Sequence, residues 1–260
     1  NAVGGSYVAY LWASDAGGYG DDEDENIVKC GTYTGNGGSS VNSVTVGFEP
    51  QWILVKNVTA AGSWAMYDTM RGWGVSANSS DDARLFANSS GAESLGNAFN
   101  PTATGFEFQS GNATWNNSGN DFIYMAIRRP MKTPTAGTEV FTVDTRGSTG
   151  DGVNPTYRSA WPVDMALLRN VGYSSASTML TPRLTGSQYM YANQTYAEAA
   201  ANTVVVWDFM NGWYNDTGTN TAQLSWMFKR ATGYMDVVAY NGSGSNTTQA
   251  HNLGVAPEMI

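Results

Sequence analysis

The side chains of this sequence that could do chemistry are mostly carboxylates and aromatic rings. The chain contains one cysteine, Cys30, and one histidine, His251, which excludes a disulfide framework and a zinc site made of cysteine or histidine clusters. Cys30 falls on a predicted strand and is expected to be a small buried apolar residue. His251 falls in a loop rich in serine, asparagine and threonine, where a solvated side chain is favoured over a general base.

The densest charge in the sequence is the run of five carboxylates at residues 21–25. Asp21, Asp22 and Asp24 could supply oxygen ligands for calcium, but the run lacks the ligand spacing and turn glycine of a helix-loop-helix calcium site. Adjacent like charges repel one another unless a cation neutralises them, so a solvated linker loop is the favoured interpretation. We therefore expect no cofactor, with calcium as the weaker alternative.

Aromatic side chains offer a second kind of site, because tryptophan and tyrosine rings stack on sugars. The candidates for binding a glycan or a partner are the aromatic residues in polar, glycine-rich contexts that are typical of loops, namely Trp64, Trp73, Trp115, Trp213 and Tyr214. The same residues could instead pack at an interface between subunits or repeats. Three further tryptophans fall on predicted strands and are expected in the core: Trp52, Trp207 and Trp226.

The placement of these residues depends on an internal repeat. The pattern aromatic-Ala-Asn-x-Ser/Thr-x-Ala-Glu occurs at residues 86–93 and again at residues 191–198, and several other segments recur in the same order. We therefore predict a segment of a longer array. Its predicted parts are the last strand of a preceding repeat with the acidic linker (1–26), a first full repeat (27–130), a proline-containing linker (131–137), a second full repeat (138–231) and the opening strands of a truncated repeat (232–260).

Each full repeat has the pattern of an antiparallel β-sandwich. Short runs such as residues 43–46 and 106–108 alternate β-branched or aromatic residues with polar ones, and glycine, asparagine and proline separate them. Residues 123–128 align with residues 225–230 as the last strand of each repeat. The predicted fold class is all-β, with tandem antiparallel β-sandwich domains.

A glycosidase on such a sandwich would need two carboxylates facing one cleft. The alignment of the repeats matches Glu107 with Asp208 and Glu93 with Glu198, so a pair can be placed in each repeat. However, the sequence contains no Glu-x-Asp-x-Glu strand motif of the kind found in sandwich-fold glucanases. Hydrolysis is therefore the minority hypothesis.

The composition excludes several classes of partner. The chain has 22 acidic and 13 basic residues and a net charge of −9, whereas a nucleic-acid surface needs a basic stripe. No apolar run approaches the roughly 20 residues of a membrane-spanning helix. Only 13% of the residues are charged, against a usual figure of about 25%. We expect a neutral polar surface, no bound nucleic acid and no membrane insertion.

Four segments of the first repeat resemble a known group of proteins. Residues 47–56 (GFEPQWILVK), 67–72 (YDTMRG), 85–93 (LFANSSGAE) and 122–130 (FIYMAIRRP) are similar to repeated domains in tail-fibre-like virion proteins of marine tailed bacteriophages. The resemblance is strong over residues 27–137 and weaker over the second repeat. It implies concanavalin-like jelly-roll sandwiches in a structural or host-recognising virion component, and it supplies no catalytic residues.

The sequence therefore predicts a non-enzymatic virion structural protein, a phage tail fibre or other appendage used in host attachment or assembly. Its expected location is the virion, an extracellular particle, and its expected partners are other virion proteins, further copies of the chain and a host-surface glycan. The first alternative is a secreted carbohydrate-binding module. The second is a glycan hydrolase on a concanavalin-like sandwich.

Overall fold

The computed structural model describes eighteen β-strands and two short 3₁₀ turns, and its described residues contain no α-helix. The residues that it describes are 4, 6, 8–20, 23–75, 82–96, 99–108, 114–146, 155–200, 205–215, 222–240 and 244–260. No segment among them forms an apolar helix of membrane-spanning length. The strands fall into two groups of nine, called unit 1 and unit 2 below.

Unit 1 contains the strands β1 to β9. Their bounds are Val28–Thr34 (β1), Asn42–Thr45 (β2), Pro50–Asn57 (β3), Ala65–Asp68 (β4), Ala83–Phe86 (β5), Ser94–Leu95 (β6), Asn100–Thr102 (β7), Gly105–Phe108 (β8) and Asp121–Arg128 (β9).

Unit 2 contains the strands β10 to β18 and both 3₁₀ turns, Gly137–Glu139 and Arg183–Thr185. The strand bounds are Phe141–Thr145 (β10), Tyr157–Arg158 (β11), Met165–Asn170 (β12), Thr178–Pro182 (β13), Gln188–Tyr191 (β14), Ala199–Ala200 (β15), Val205–Val206 (β16), Gly212–Asn215 (β17) and Gln223–Phe228 (β18).

The two units have equivalent sheet topology. Unit 1 has a six-stranded sheet in the order β1-β9-β3-β4-β5-β6 and a three-stranded sheet in the order β2-β8-β7. In unit 2 the orders are β10-β18-β12-β13-β14-β15 and β11-β17-β16, so each strand of unit 1 has its counterpart nine strands later. All strand pairings in both units are antiparallel. The predicted all-β antiparallel sandwich is confirmed.

The core of each unit lies between its large and small sheets. Inward-facing residues alternate along the strands: Phe122, Tyr124 and Ala126 of β9 are buried against Phe106 and Phe108 of β8 in one cluster. Because the side chains of a strand point alternately to its two faces, this alternation leaves one face of each sheet for the core and the other for solvent. A separate cluster, which includes Tyr157, Ala166 and Met227, forms the core of unit 2.

Three of the aromatic residues predicted to lie on exposed loops are in these cores. Trp73 and Trp115 are buried in unit 1, and Trp213 is buried in unit 2. The indole of Trp73 donates a hydrogen bond to the carbonyl of Phe99 at 2.7 Å, and that of Trp213 donates one to the hydroxyl of Ser225 at 3.0 Å. The prediction of exposed rings is wrong for these three, because polar and glycine-rich sequence around a tryptophan also occurs where a loop folds its ring inward and satisfies the N–H.

The repeat alignment is one residue out of register in the last strand. Val55 of β3 pairs with Tyr124, whereas its counterpart Leu168 of β12 pairs with Ser225. The counterpart of Tyr124 is therefore Ser225, and Trp226 lies on the opposite, half-buried face. A slip of one residue moves every side chain of a strand to the other face, so the prediction that Trp226 belongs to the core is wrong.

A second alignment error affects the proposed carboxylate pairs. Gly105 of β8 corresponds to Gly212 of β17, because a Cβ at either position would lie 2.0 Å from a carbonyl oxygen of the neighbouring strand, Val44 or Tyr157. The counterpart of Glu107 is therefore Tyr214 and not Asp208, which lies in the turn between β16 and β17. The prediction that Glu107 and Asp208 are equivalent is wrong.

The described residues at the two ends of the chain lie mostly outside the sheets. Residues 8–13 form no strand, and Val8, Tyr10 and Leu11 are exposed. Residues 244–260 also form no strand. Cys30 is exposed on the edge strand β1, so the expectation that it is buried is wrong. His251 is exposed in a loop, as expected.

The buried tryptophans lead to a test of the core. Replacement of Trp73 or Trp213 by alanine should lower the free energy of unfolding by about 3–5 kcal/mol, because it removes a large buried side chain and leaves a cavity. The matched control is Trp64→Ala, which should cost much less because Trp64 is 38% exposed. Urea unfolding followed by tryptophan fluorescence would measure the differences. Equal losses for Trp64 and Trp213 would contradict the placement of these rings.

Candidate functional site

The most unusual chemistry among the described residues is a group of buried charges between the two units. It consists of three arginines and three carboxylates: Arg129, Arg183, Arg230, Glu49, Asp164 and Asp236. Glu49, Asp164, Arg183 and Arg230 are each only 2–3% exposed. Charged side chains are almost never so deeply buried unless they are paired. We call this group the junction cluster.

The pairing of the strands within each large sheet brings the residues of the junction cluster together. Strand β9 pairs antiparallel with β3, so the end of β9, followed by Arg129, lies beside the start of β3, preceded by Glu49. Strand β18 pairs antiparallel with β12 in the same way, which brings Arg230 beside Asp164. Each unit therefore presents one arginine and one carboxylate at the same edge of its large sheet.

The arginine of each unit contacts the acidic residue of its own unit through its backbone. The Arg129 N–H donates to the carbonyl oxygen of Glu49 at 2.9 Å. The Arg230 N–H donates to Oδ2 of Asp164 at 2.7 Å. These two bonds hold each arginine in place with its guanidinium free to reach the other unit.

The guanidinium groups then pair across the junction. Arg230 of unit 2 binds Glu49 of unit 1 through two hydrogen bonds, Nη1 to Oε1 at 2.7 Å and Nη2 to Oε2 at 2.5 Å. Arg129 of unit 1 pairs with Asp164 of unit 2, with 2.5 Å between Nη2 and Oδ1. The contact is thus reciprocal, since each unit gives its arginine to the carboxylate of the other. Such an exchange resembles a two-fold, closed interface, although only the arginines occupy matching backbone positions, because the counterpart of Asp164 along β3 is Gln51.

The remaining two members of the cluster extend it. Nε of Arg230 donates to Oδ1 of Asp236 at 2.6 Å, which joins the segment after unit 2 to the junction. Arg183 donates from Nε to the carbonyl of Val163 at 2.8 Å and from Nη1 to the carbonyl of Trp207 at 2.6 Å. In unit 1 the position equivalent to Arg183 is occupied by Thr69. The backbone N–H of Thr69 donates to the carbonyl of Gln51, and that of Arg183 donates to the equivalent carbonyl of Asp164.

The electrostatic environment favours the charged forms of Asp164 and Arg230. Burial acts to raise the pKa of Asp164, but Arg129, Arg183 and Arg230 outweigh it and hold that pKa below its ordinary value. Burial likewise acts to lower the pKa of Arg230, whereas Glu49 and Asp236 raise it above the usual range. Asp164, held in this way, accepts hydrogen bonds and is poorly suited to take up a proton near neutral pH. The arrangement is suited to fixing the position of the two units.

A second group of charges lies near the junction. Arg71 donates to Asp68 at 2.6 Å and to Glu93 at 2.9 Å. Burial raises the pKa of Asp208, and the negative charge of Glu93 raises it further. Among the described carboxyl groups, Asp208 and Glu198 have a raised pKa, which is one property of a general acid.

The remaining predicted site residues are dispersed. Trp64 is partly exposed in the loop before β4, where its backbone N–H donates to Oδ1 of Asn88 at 2.9 Å. Tyr214 is half-buried on β17. With Trp73, Trp115 and Trp213 in the cores, the five aromatic residues do not form a common platform. Of the candidate calcium ligands, Asp24 is exposed, and Asp21 and Asp22 lie outside the described residues. The described residues contain no group of three or more histidine, cysteine, aspartate or glutamate side chains that could hold a metal ion.

The members of the junction cluster are not among the site residues predicted from the sequence. A usable signal was present, because an acidic residue precedes the first long apolar strand of each repeat and an arginine follows the last strand: Glu49 and Arg129 in one, Asp164 and Arg230 in the other. The alignment had matched Arg128 with Arg230 and so hid this correspondence. The exchange of partners between units could only be seen once the units were placed against each other.

The bidentate pair generates a test. Glu49→Gln should lower the free energy of unfolding by about 3 kcal/mol or more, because it leaves the buried Arg230 guanidinium without one of its charge partners. The control is Glu93→Gln, which breaks a pair whose carboxylate is 40% exposed and should cost less than about 1 kcal/mol. Urea unfolding with linear extrapolation would compare them. A loss for Glu49→Gln no larger than the control would show that the pair is not held in a buried junction.

The lowered pKa of Asp164 predicts an acid dependence of stability. Its folded pKa lies below its unfolded value, which is about 3.9, so its contribution is present above pH about 4 and is lost as the pH falls through the folded pKa. Asp164→Asn should therefore make the decline of stability below pH 4 less steep. The exposed carboxylate variant Asp121→Asn is the control. Identical acid profiles for wild type and Asp164→Asn, measured by thermal unfolding, would contradict this.

Comparison with known proteins identifies a family for the first half of the chain. The comparisons with curated proteins and with solved structures gave no match. The family model described as a domain of unknown function, DUF7483, matches residues 1–130. This match covers half of the 260 residues, and the chain therefore belongs to the DUF7483 family.

Proposed function

We propose that the chain is a non-enzymatic structural protein of a virion, a fibre or other appendage of a tailed bacteriophage, in which units 1 and 2 act as one rigid body. The observation that carries the architectural part of the proposal is the reciprocal exchange of buried ion pairs between the units. The assignment to a phage virion rests on the resemblance of residues 47–56 and 122–130 to repeated tail-fibre-like domains.

The junction cluster determines the relative placement of the two units more than it raises the free energy of unfolding. A buried ion pair gains little over apolar packing, because desolvation of the two charges offsets their attraction. A shifted arrangement of the units, however, would leave a buried charge such as Glu49 or Arg230 without its partner, which costs several kcal/mol. The observed placement satisfies these pairs, and a rigid element of an appendage needs a placement that is fixed in this way.

The positions of the aromatic residues favour a structural role for the chain over a role in binding sugars. A glycan platform needs several exposed rings together, and among the predicted candidates only Trp64 is exposed. The expected partners in this proposal are other virion proteins and further copies of the chain, and a host-surface glycan would bind to the assembled particle. The alternatives, a secreted carbohydrate-binding module and a glycan hydrolase, predict different outcomes in the same experiments.

The first experiment combines a glycan array, a mass measurement of the purified chain and an assay for release of reducing sugars from polysaccharides. We expect stable oligomers and no turnover. A monomer that binds a glycan and loses the binding in Trp64→Ala would favour the carbohydrate-binding module. Turnover that is lost in Asp208→Asn but kept in Glu107→Gln would overturn the proposal in favour of a hydrolase.

The second experiment tests the location. Gold-labelled antibodies raised against the chain should bind an appendage of purified phage particles whose genome encodes it, as seen by electron microscopy. Particles without label, with the protein recovered only from the surrounding medium, would contradict a virion component.

A further inference from the structure

A small pocket lies inside the junction between the two units. Its lining consists of Glu49, Thr69, Arg129, Asp164, Arg183, Leu184 and Arg230. It has room for a group of about the size of one water molecule. Residues of both units form its wall, so whatever occupies it touches both.

Two nitrogen donors of the lining arginines are unused. Nε of Arg129 and Nη2 of Arg183 are buried and have no hydrogen-bond partner among the described residues. The Arg183 side chain is only 3% exposed. A buried N–H group of a charged side chain that bonds to nothing costs more than a neutral one, so each of these donors requires an acceptor.

Each side-chain oxygen of the two lining carboxylates already accepts a hydrogen bond. Both carboxylate oxygens of Glu49 accept from Arg230, and those of Asp164 accept from Arg129 and from the Arg230 backbone. A water molecule in the pocket would bring two hydrogens of its own that need acceptors. A halide ion accepts hydrogen bonds and donates none, which matches two free donors.

The charge of the lining favours an anion as well. The cluster as a whole is neutral, but Arg230 binds both Glu49 and Asp236. Arg129 and Arg183 therefore share Asp164, which leaves a local excess of positive charge beside them. Burial and the charge of Arg129 together lower the pKa of Arg183 to about 10, against the opposing effect of Asp164. A negative ion beside these two guanidinium groups would relieve their mutual repulsion. Asp208 also acts on Arg183 electrostatically, but it is not part of the pocket wall.

We propose that this pocket binds one small monovalent anion, chloride in ordinary salt solutions, which accepts hydrogen bonds from Nε of Arg129 and Nη2 of Arg183 and so links units 1 and 2. The site goes beyond the proposed structural function, since it would exist whatever particle the chain belongs to. It makes the stability of the junction depend on the chloride concentration.

The test compares the melting temperature of the whole chain in sodium chloride and in sodium gluconate at equal ionic strength, because gluconate is too large for the pocket. Binding to the folded state alone raises stability by mass action. We expect a melting temperature about 2–4 °C higher in chloride, with saturation as chloride increases. Bromide, in crystals grown with it, should give an anomalous-scattering peak in the pocket.

Two variants separate this site from chloride bound elsewhere. Arg129→Lys keeps the charge and can keep the pair with Asp164 but removes the free Nε donor, so the chloride-specific shift should fall by at least half. Arg158→Lys changes an exposed arginine outside the pocket and should keep the full shift. Line broadening of the ³⁵Cl NMR signal by the wild type, which needs no variant, is the independent readout. Equal melting temperatures in the two salts, or a bromide map with no peak between Arg129 and Arg183, would overturn the proposal and leave water as the occupant.

Discussion

The pairing of each unit's arginine with the other unit's carboxylate is the interaction on which the arrangement of the molecule depends. Each sandwich has its own core, so neither needs the other to bury its apolar residues. What fixes their relative position is the requirement that Arg129, Arg230, Glu49 and Asp164 all find partners once they are removed from water. Buried polar contacts, which include the hydrogen bond from the Val75 N–H to the Leu184 carbonyl, join the two units, and apolar packing specifies each unit.

The fold class could be predicted from the sequence because alternation along strands is a local property. The run at residues 106–108 has two aromatic residues on one face and an acidic residue between them, and the structure places Phe106 and Phe108 in the core. The internal repeat could also be recognised, because the loop at Asn88 and its counterpart at Asn193 make the same kind of hydrogen bond. Both asparagine side chains accept a hydrogen bond from the backbone N–H of a neighbouring segment, that of Trp64 or Thr178.

The candidate site could not be predicted, for two physical reasons. Whether a loop tryptophan faces solvent or the core depends on the path of the loop, and Trp73 and Trp213 have polar neighbours in sequence but apolar neighbours in space. The junction cluster, moreover, depends on how two folded units meet, and this is a long-range property that a repeat alignment does not contain. A one-residue error in the register of β18 was enough to conceal that Arg129 and Arg230 are equivalent.

Thr69 and Arg183 show what covalent linkage of two like units permits. They occupy matching backbone positions, yet one is a small hydroxyl side chain and the other a guanidinium that reaches Val163 and Trp207. In a dimer of identical chains a substitution at such a position would change both sides of the axis at once, and two arginines would then crowd the same space. In a single polypeptide each half can diverge by itself. The asymmetry at this position is therefore open to a tandem protein and closed to a dimer of identical chains.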